Sequence, residues 1–344
     1  MLEIDCSRGE GGGQTVRTSV AMAAITGQAT HLTRIRENRP TNGLSKQHCT
    51  AVEAVAQMTG SQIIGNELGS QELTIIPGDF EESDIMMDIG SAGSITLVLQ
   101  AMMLAAKNHK NPVKIDLIGG TNVMWAPPID SYNQILFPLM SRMGIDAELN
   151  IVQRGFYPEG GGRVTVNMQP IGKIKPLNMY DLGELKEIRG VCFSQNLPDW
   201  ITDQMIEGCL SVFNDTEVNI EIEKIGEGIS RGGGISLVAE YDNGSMLGSN
   251  VLTSRSHPAK QAGMDVANDL LQVMESGATM DIHTADQILP YLSMADGDSA
   301  FSVSRISRHL LSQMDTLETF IDVKFGVERK ENVYNITVSP GESA

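Results

Sequence analysis

The stretch Leu2-Glu-Ile-Asp-Cys6, Ser7-Arg8, Gly9-Glu-Gly-Gly-Gly-Gln14, Thr15-Val-Arg-Thr-Ser-Val-Ala-Met-Ala-Ala-Ile25 decides how the chain folds. A short apolar run, a glycine turn and a helical pattern, in that order, predict a strand that turns into a helix. Without Cβ atoms in the turn, backbone amides can approach a phosphate closely, and the helix N-terminus adds the positive end of its dipole. Glu10 would repel that phosphate unless Mg²⁺ or Mn²⁺ lay between them. The turn reads either as a metal-nucleotide site or as a plain surface turn. It matches no standard glycine motif: Gln14 stands where G-x-G-x-x-G needs glycine, and G-x-x-x-x-G-K-[ST] does not occur.

Working outward, the pattern predicts a helix over 14–25 stopped at Gly27, a strand over 30–35, a polar loop over 36–43, and a helix capped by Ser45 and stopped at Gly60. Strands over 62–65 and 72–76 follow, and Pro77-Gly78 closes the unit. The same order then recurs. It gives a strand over 85–89, the turn Gly90-Ser-Ala-Gly-Ser94, a helix to 107, a strand over 113–118, a loop over 119–130, a helix over 131–143, and strands over 145–152 and 163–168. One such unit cannot cover both faces of its sheet, so a third copy is expected.

The third copy comes in pieces. After Pro170 the readings are a strand over 187–195, a helix over 200–213, strands over 218–225 and 234–241, and a helix over 259–274. Past Gly277 come a helix from about 285, a strand around Phe301, a helix from 308, and strands over 320–325 and 333–338. The expected fold is α/β: three βαβαββ units with helices on one face of their sheets, the third split by a smaller inserted α/β domain. The expected boundaries are 1–181 with 279–344 for the large domain and 182–278 for the insert.

With 344 residues, 41% of them apolar and 5% aromatic, the chain has enough material for such a core. Cys6, Cys49, Cys192 and Cys209 lie far apart with no C-x-x-C pair, against structural zinc and against a disulfide framework. The start of the chain has neither a basic n-region nor an apolar h-region, so a cytoplasmic location with no membrane role is expected. The net charge of −18 argues against bulk affinity for nucleic acid. Over 1–48, however, Arg8, Arg17, Arg34, Arg36, Arg39 and Lys46 outnumber Glu3, Asp5, Glu10 and Glu37, which suits a ligand gripped by its phosphates.

Glycine turns at equivalent places, including Gly119-Gly-Thr121 and Gly160 to Gly162, would line one broad polar cleft. Arg36 and Arg39 share a loop that leads to Lys46, Gln47 and His48, and can converge on phosphate through guanidinium forks. Ala126-Pro127-Pro128 either backs a flat ring or simply starts the next helix. Among the histidines, His31, His109 and His257 read as structural, and His48 as a ligand contact or a structural residue. His283 and His309 stand out. A histidine at a helix start flanked by arginines stays neutral and nucleophilic, which suits chemistry at phosphorus.

Read together, Gly9-Glu-Gly-Gly-Gly-Gln14, Arg36-x-x-Arg39, Gly43-Leu44, Gln47-His48, Gly90-Ser-Ala-Gly-Ser94, Val98-Leu-Gln100, Gly119-Gly-Thr121, Ala126-Pro-Pro128, Gly155-Phe-Tyr-Pro-Glu-Gly-Gly-Gly162, Asp286-Gln287 and His309 resemble the RNA 3′-terminal phosphate cyclases. The resemblance runs in order over essentially the whole chain. It implies repeats like the C-terminal domain of translation initiation factor three. It also implies an ATP-dependent enzyme that converts an RNA 3′-phosphate to a 2′,3′-cyclic phosphate, with His309 as the residue that takes AMP. By position, Glu10 would hold the divalent metal. Arg17, Arg36, Arg39, Gln47 and His48 would bind phosphates, and Gln100, Pro127, His283, Asp286 and Gln287 would frame the adenylate.

Two features depart from the family pattern. The loop Arg39-Pro-Thr-Asn-Gly-Leu44 lacks proline directly before Gly-Leu, and His283 stands where bacterial relatives place a tyrosine against the adenine. An imidazole still stacks on a purine, with less area. A non-catalytic cyclase-like factor of ribosome biogenesis would share the fold but is expected to lack the nucleophile. An enolpyruvate transferase would need two similar domains and its own lysine and arginine pattern.

Overall fold

The computed structural model describes residues 1–213 and 216–341; residues 214–215 of the expected insert and 342–344 of the expected large domain lie outside the described residues. The first unit runs β1 (Leu2–Asp5), α1 (Gly13–Thr26), β2 (Thr30–Thr33), α2 (Lys46–Thr59), β3 (Gln62–Ile64), β4 (Leu73–Ile76), with sheet order β1-β2-β4-β3. β1 and β2 pair in parallel, with Ile4 beside Leu32, while β2–β4 and β3–β4 are antiparallel. Gly27 and Gly60 end the two helices in the left-handed conformation that spares a Cβ, with φ of 66° and 60°.

The second unit repeats this with β5 (Asp84–Asp88), α3 (Ile95–Ala105), β6 (Val113–Gly119), α4 (Ile129–Ser131), α5 (Phe137–Arg142), β7 (Ala147–Gln153) and β8 (Gly162–Met168), in order β5-β6-β8-β7. The helix expected over 131–143 is interrupted by a π turn at Tyr132–Leu136. Pro138, with no N–H to offer, follows that turn, and the carbonyl of Gln134 four residues before it accepts instead from Arg189 Nη2 at 3.3 Å.

The third unit starts before the insertion. Ile174 and Asn178 form isolated parallel bridges to Ala295 and Ala300, where β1 and β5 lie in the other units. The chain then builds β9 (Leu185–Gln195), α6 (Trp200–Phe213), β10 (Val218–Ile225), β11 (Gly232–Tyr241), β12 (Met246–Leu252) and α7 (Ala259–Ser276). It returns as α8 (Ile282–Leu292), β13 (Ser299–Val303), α9 (Arg308–Phe320), β14 (Val323–Lys330) and β15 (Val333–Pro340), in order β13-β15-β14. The intervening elements form a separate sheet, β10-β9-β11-β12, over an apolar cluster that includes Cys192, Met205, Cys209 and Leu270. β12 has no counterpart in the sequence expectations, because Gly248-Ser-Asn250 breaks its apolar pattern. The strand expected from 320 begins at Val323, since α9 continues to Phe320.

α1 is buried from Gln14 to Ala24, because α2, α3 and α9 pack around it. Small residues (Ala21, Ala23, Ala24) let those helices approach. Its N-terminus therefore opens where the three units meet. No helix among the described residues is long and apolar enough to cross a membrane.

Candidate active site

The glycine turn between β1 and α1 is held by the third unit. Gly9 and Gly11 have φ of 61° and 62°, and the Glu10 N–H donates to Ser312 Oγ of α9 at 2.7 Å. One turn along the same pair of helices, Thr18 Oγ1 donates to Gln313 Oε1 at 2.9 Å. Gly13 has a steric reason: a Cβ there would overlap the His48 imidazole.

His309 is the second residue of α9, whose cap is Ser307; Ser307 Oγ accepts from the Leu310 N–H at 2.8 Å. Its Nδ1 lies 2.7 Å from Gln14 Oε1. A carboxamide oxygen only accepts, so this pairing places the ring proton on Nδ1 and leaves the lone pair on Nε2. Burial lowers the imidazole pKa, and Arg17, Arg39 and His283 lower it further. The positive helix end acts in the same direction. Glu10 Oε2 stands 3.8 Å from Nδ1, but its carboxylate is ion-paired with Arg39 and does little to favour an imidazolium.

Arg17 is the main electrostatic anomaly. It is buried in α1, its Nε donates to Gln100 Oε1 at 2.9 Å, and no carboxylate lies within ion-pair distance among the described residues. Burial pulls its pKa down to about 10. A buried guanidinium without a counterion costs several kcal/mol, so this position favours an incoming anion. The Nε2 groups of Gln14 and Gln100 are also buried without a partner.

His48 is neutral for similar reasons: burial, then Arg17 and Arg36, push its pKa down to about 3. Its Nδ1 accepts from the Ser45 N–H at 3.1 Å, which leaves Nε2–H facing the Gly13 turn as a neutral donor. Arg36 sits at φ 54° and donates to the Gly43 carbonyl at 2.8 Å. Gln47 is placed apart from this group, with its Oε1 accepting from the Ser94 N–H at 3.1 Å in the second unit's turn.

A second group lines a shallow, open cleft that includes Pro127, Tyr132, His283, Gln287 and Asn250. Asp281 caps α8 by accepting from the His283 and Thr284 N–H groups, which fixes His283 at the cleft. Tyr132 Oη lies 2.8 Å from Gln287 Oε1. Tyr132, Gln100 and Gln287 share a second small cavity, which connects the two groups.

Asp286 joins the cleft to the histidine helix, accepting from Ser307 Oγ at 2.8 Å. Burial raises its pKa to about 7, Ser307 opposes the rise, and Asp281 adds to it. The folded carboxyl thus keeps a proton that the unfolded chain releases, and stability falls as pH rises from about 4 to about 7. Denaturant titrations at pH 5 and pH 8 should show this loss, and Asp286→Asn should flatten it; an unchanged slope in the variant contradicts the assignment.

No three His, Cys, Asp or Glu side chains among the described residues form a metal cage. Mg²⁺ commonly takes one or two carboxylates and completes its shell with substrate phosphates and water. Glu10, partly exposed in the amide-lined turn, fits that lesser demand.

The site thus gathers Glu10, Arg17, Arg39, His48, Gln100 and His309, with Pro127, His283 and Gln287 along the adjoining cleft and buried Asp286 tied to the cap of α9. Sequence reasoning missed Gln14, Tyr132, Ser307 and Ser312. Ser307 carried a cap signal, whereas the others are defined by partners far away in the chain.

Residues 8–327 match the family model described as RNA 3′-terminal phosphate cyclase. The chain is 38% identical over 338 residues to the RNA 3′-terminal phosphate cyclase of Methanopyrus kandleri, covering 96% of each. It is 39% identical over 343 residues to that of Nitrosospira multiformis, covering 99% of this chain and 97% of the relative. The counterpart from Methanosarcina barkeri is 38% identical over 340 residues, 98% of this chain and 100% of its own.

Proposed function

Because the chain belongs to the RNA 3′-terminal phosphate cyclase family, we propose that it converts an RNA 3′-terminal phosphate to a 2′,3′-cyclic phosphate at the expense of ATP. His309 Nε2 attacks the α-phosphorus of ATP, forming an N–P bond as the α–β bridge breaks and pyrophosphate leaves. An oxygen of the RNA 3′-phosphate then attacks the same phosphorus; the N–P bond breaks and neutral His309 is restored. Finally the 2′-hydroxyl attacks the activated 3′-phosphorus, the anhydride breaks, and AMP departs while the hydroxyl proton goes to solvent.

The reading rests on one observation above the rest: a histidine whose Nδ1 is tied to Gln14, leaving Nε2 open beside the uncompensated Arg17. Splitting one transfer into easier ones is the advantage of a covalent intermediate. Arg17, Arg36 and Arg39 take the role of neutralising phosphate charge, the main task in such transfers, while Gln47 and neutral His48 bind phosphate oxygens as uncharged donors. Pro127 and His283 frame the adenine, with Gln100, Asp286 and Gln287 around the nucleotide.

Glu10 would hold Mg²⁺ or Mn²⁺, which supplies charge neutralisation on the triphosphate. Without ligand, Glu10 and Arg39 satisfy each other, so one carboxylate and one guanidinium are released together when metal and phosphate take their places. In this reading, residues 1–181 and 279–344 form the catalytic body and 182–278 the inserted domain.

A 3′-phosphorylated oligoribonucleotide incubated with ATP and Mg²⁺ should acquire an end that resists phosphatase, with one AMP and one pyrophosphate formed per end. A substrate with a terminal 2′-deoxyribose should stop at the RNA-adenylate, because only the 2′-hydroxyl closes the ring. Release of AMP with ring closure on the deoxy substrate, instead of AMP retained on its end, would refute the final step.

A further inference from the structure

Two aromatic side chains stand in solvent on loops stitched to the site. Trp125 is 96% exposed and Tyr157 76% exposed. Trp125 has φ of 67°, a left-handed region costly for a bulky residue. Its loop is nonetheless fixed on both sides. Asn122 Nδ2 donates to buried Asp130 Oδ2 at 2.8 Å, the Pro127 carbonyl accepts from Thr96 Oγ1 at 2.7 Å, and the Ile129 N–H donates to the Thr121 carbonyl at 3.0 Å. The ring is held out on a rigid base rather than left on a slack loop.

Tyr157 belongs to the loop that shares this base. The Gly155 carbonyl accepts from the Thr121 and Asn122 N–H groups at 2.9 and 3.2 Å. The Phe156 N–H donates to Ser230 Oγ at 3.0 Å, which brings in exposed Arg231, a residue with no hydrogen-bond or ion-pair partner among the described residues. Trp125 follows Asn122 by three residues and directly precedes Ala126-Pro127, so this rim continues the wall of the cleft.

We propose that Trp125, Tyr157 and Arg231 form a platform for the unpaired RNA segment upstream of the reacting 3′ end, two bases stacking on the rings and a phosphate meeting the guanidinium. The proposal rests on the cyclase reading. A chain of net charge −18 gains little from counterion release, and Glu159 and Glu227, on the same loops as Tyr157 and Arg231, are exposed as well. Stacking is what remains to hold a single strand, and aromatic faces are the usual means of holding unpaired RNA.

The test is direct binding of a labelled single-stranded oligoribonucleotide with a 3′-phosphate to the full chain, without turnover. At about 1–3 kcal/mol per stacked base, Trp125→Ala or Tyr157→Ala should each raise Kd roughly tenfold, and Trp125→Phe should recover most of the loss. In a Trp200→Phe background Trp125 is the one tryptophan left, and its emission should be quenched by RNA and not by ATP. A Kd within twofold of wild type in both alanine variants, or no quench, overturns the platform. Uptake of label from α-labelled ATP by the same variants reads the cyclase chemistry separately. Normal labelling with unchanged Kd removes only the platform, whereas weakened RNA binding without any labelling, in wild type as well, keeps the platform and removes the histidine mechanism.

Discussion

His309→Ala should take up no label from α-labelled ATP and should lose RNA cyclisation by roughly 10⁴-fold or more, the scale seen when a covalent nucleophile is removed. The fold should survive, because the His309 side chain is 51% exposed and, among the described residues, its side-chain hydrogen bond is the one to Gln14. A thermal midpoint close to wild type would make the loss a chemical one. Gln14→Ala offers the graded comparison: the nucleophile remains, but nothing fixes the proton on Nδ1, so labelling should slow rather than stop. Residual cyclisation in His309→Ala near wild-type rates contradicts the nucleophile assignment.

Arg154→Ala should be strongly destabilising. Arg154 is 1% exposed and forks onto Asp130, with Nη2 to Oδ1 at 2.7 Å and Nη1 to Oδ2 at 2.9 Å. Its Nε donates to Glu223 Oε2 at 2.7 Å, and its guanidinium lies 4.0 Å over the Phe193 ring. Burial alone would lower its pKa, but Asp130 and Glu223 hold it raised. Removing the cation leaves the buried Asp130 charge uncompensated, which costs about 3–5 kcal/mol. At the per-residue unfolding entropy of globular proteins, that is roughly 5 °C in Tm for a chain of this length.

Removing both charges together, as Arg154→Met with Asp130→Leu, should recover much of the loss, because the desolvation of the pair disappears with it. Arg154→Lys should recover little, since an ammonium cannot reproduce the fork. A midpoint shift below 1 °C in Arg154→Ala contradicts this account. Asp130 opens the helix after Pro127-Pro128, and Glu223 belongs to β10, so the same arginine fixes the Pro127 loop against the inserted elements.

The first two units were legible because nothing interrupts them: strand, glycine turn, helix and antiparallel closure follow in one stretch of chain. The third was not, for two physical reasons. Its first strand is reduced to the bridges at Ile174 and Asn178, with Pro176 between them removing a ladder donor. The insertion then replaces the glycine turn that announces the helix in the other units. The π turn at Tyr132–Leu136 and the strand over Gly248-Ser-Asn250 went unseen because tertiary contacts, not local preference, stabilise them.

The candidate site divides in the same way. Glu10, Arg36, Arg39 and His48 were readable beside glycines and a helix start. Gln14 on His309, Ser312 on Glu10 and Tyr132 on Gln287 join residues that no local pattern connects. Gln47, expected with the arginines, is held at Ser94 by a contact between units that sequence spacing does not contain.

The most direct measurement is the position of AMP on the wild-type chain. The full protein is incubated with α-labelled ATP and Mg²⁺ without RNA, digested under alkaline conditions, and the labelled peptide sequenced. The predicted result is one acid-labile, alkali-stable label on the peptide carrying His309, discharged when a 3′-phosphorylated RNA is added. Label on a lysine or on another histidine, or label that RNA cannot remove, contradicts it.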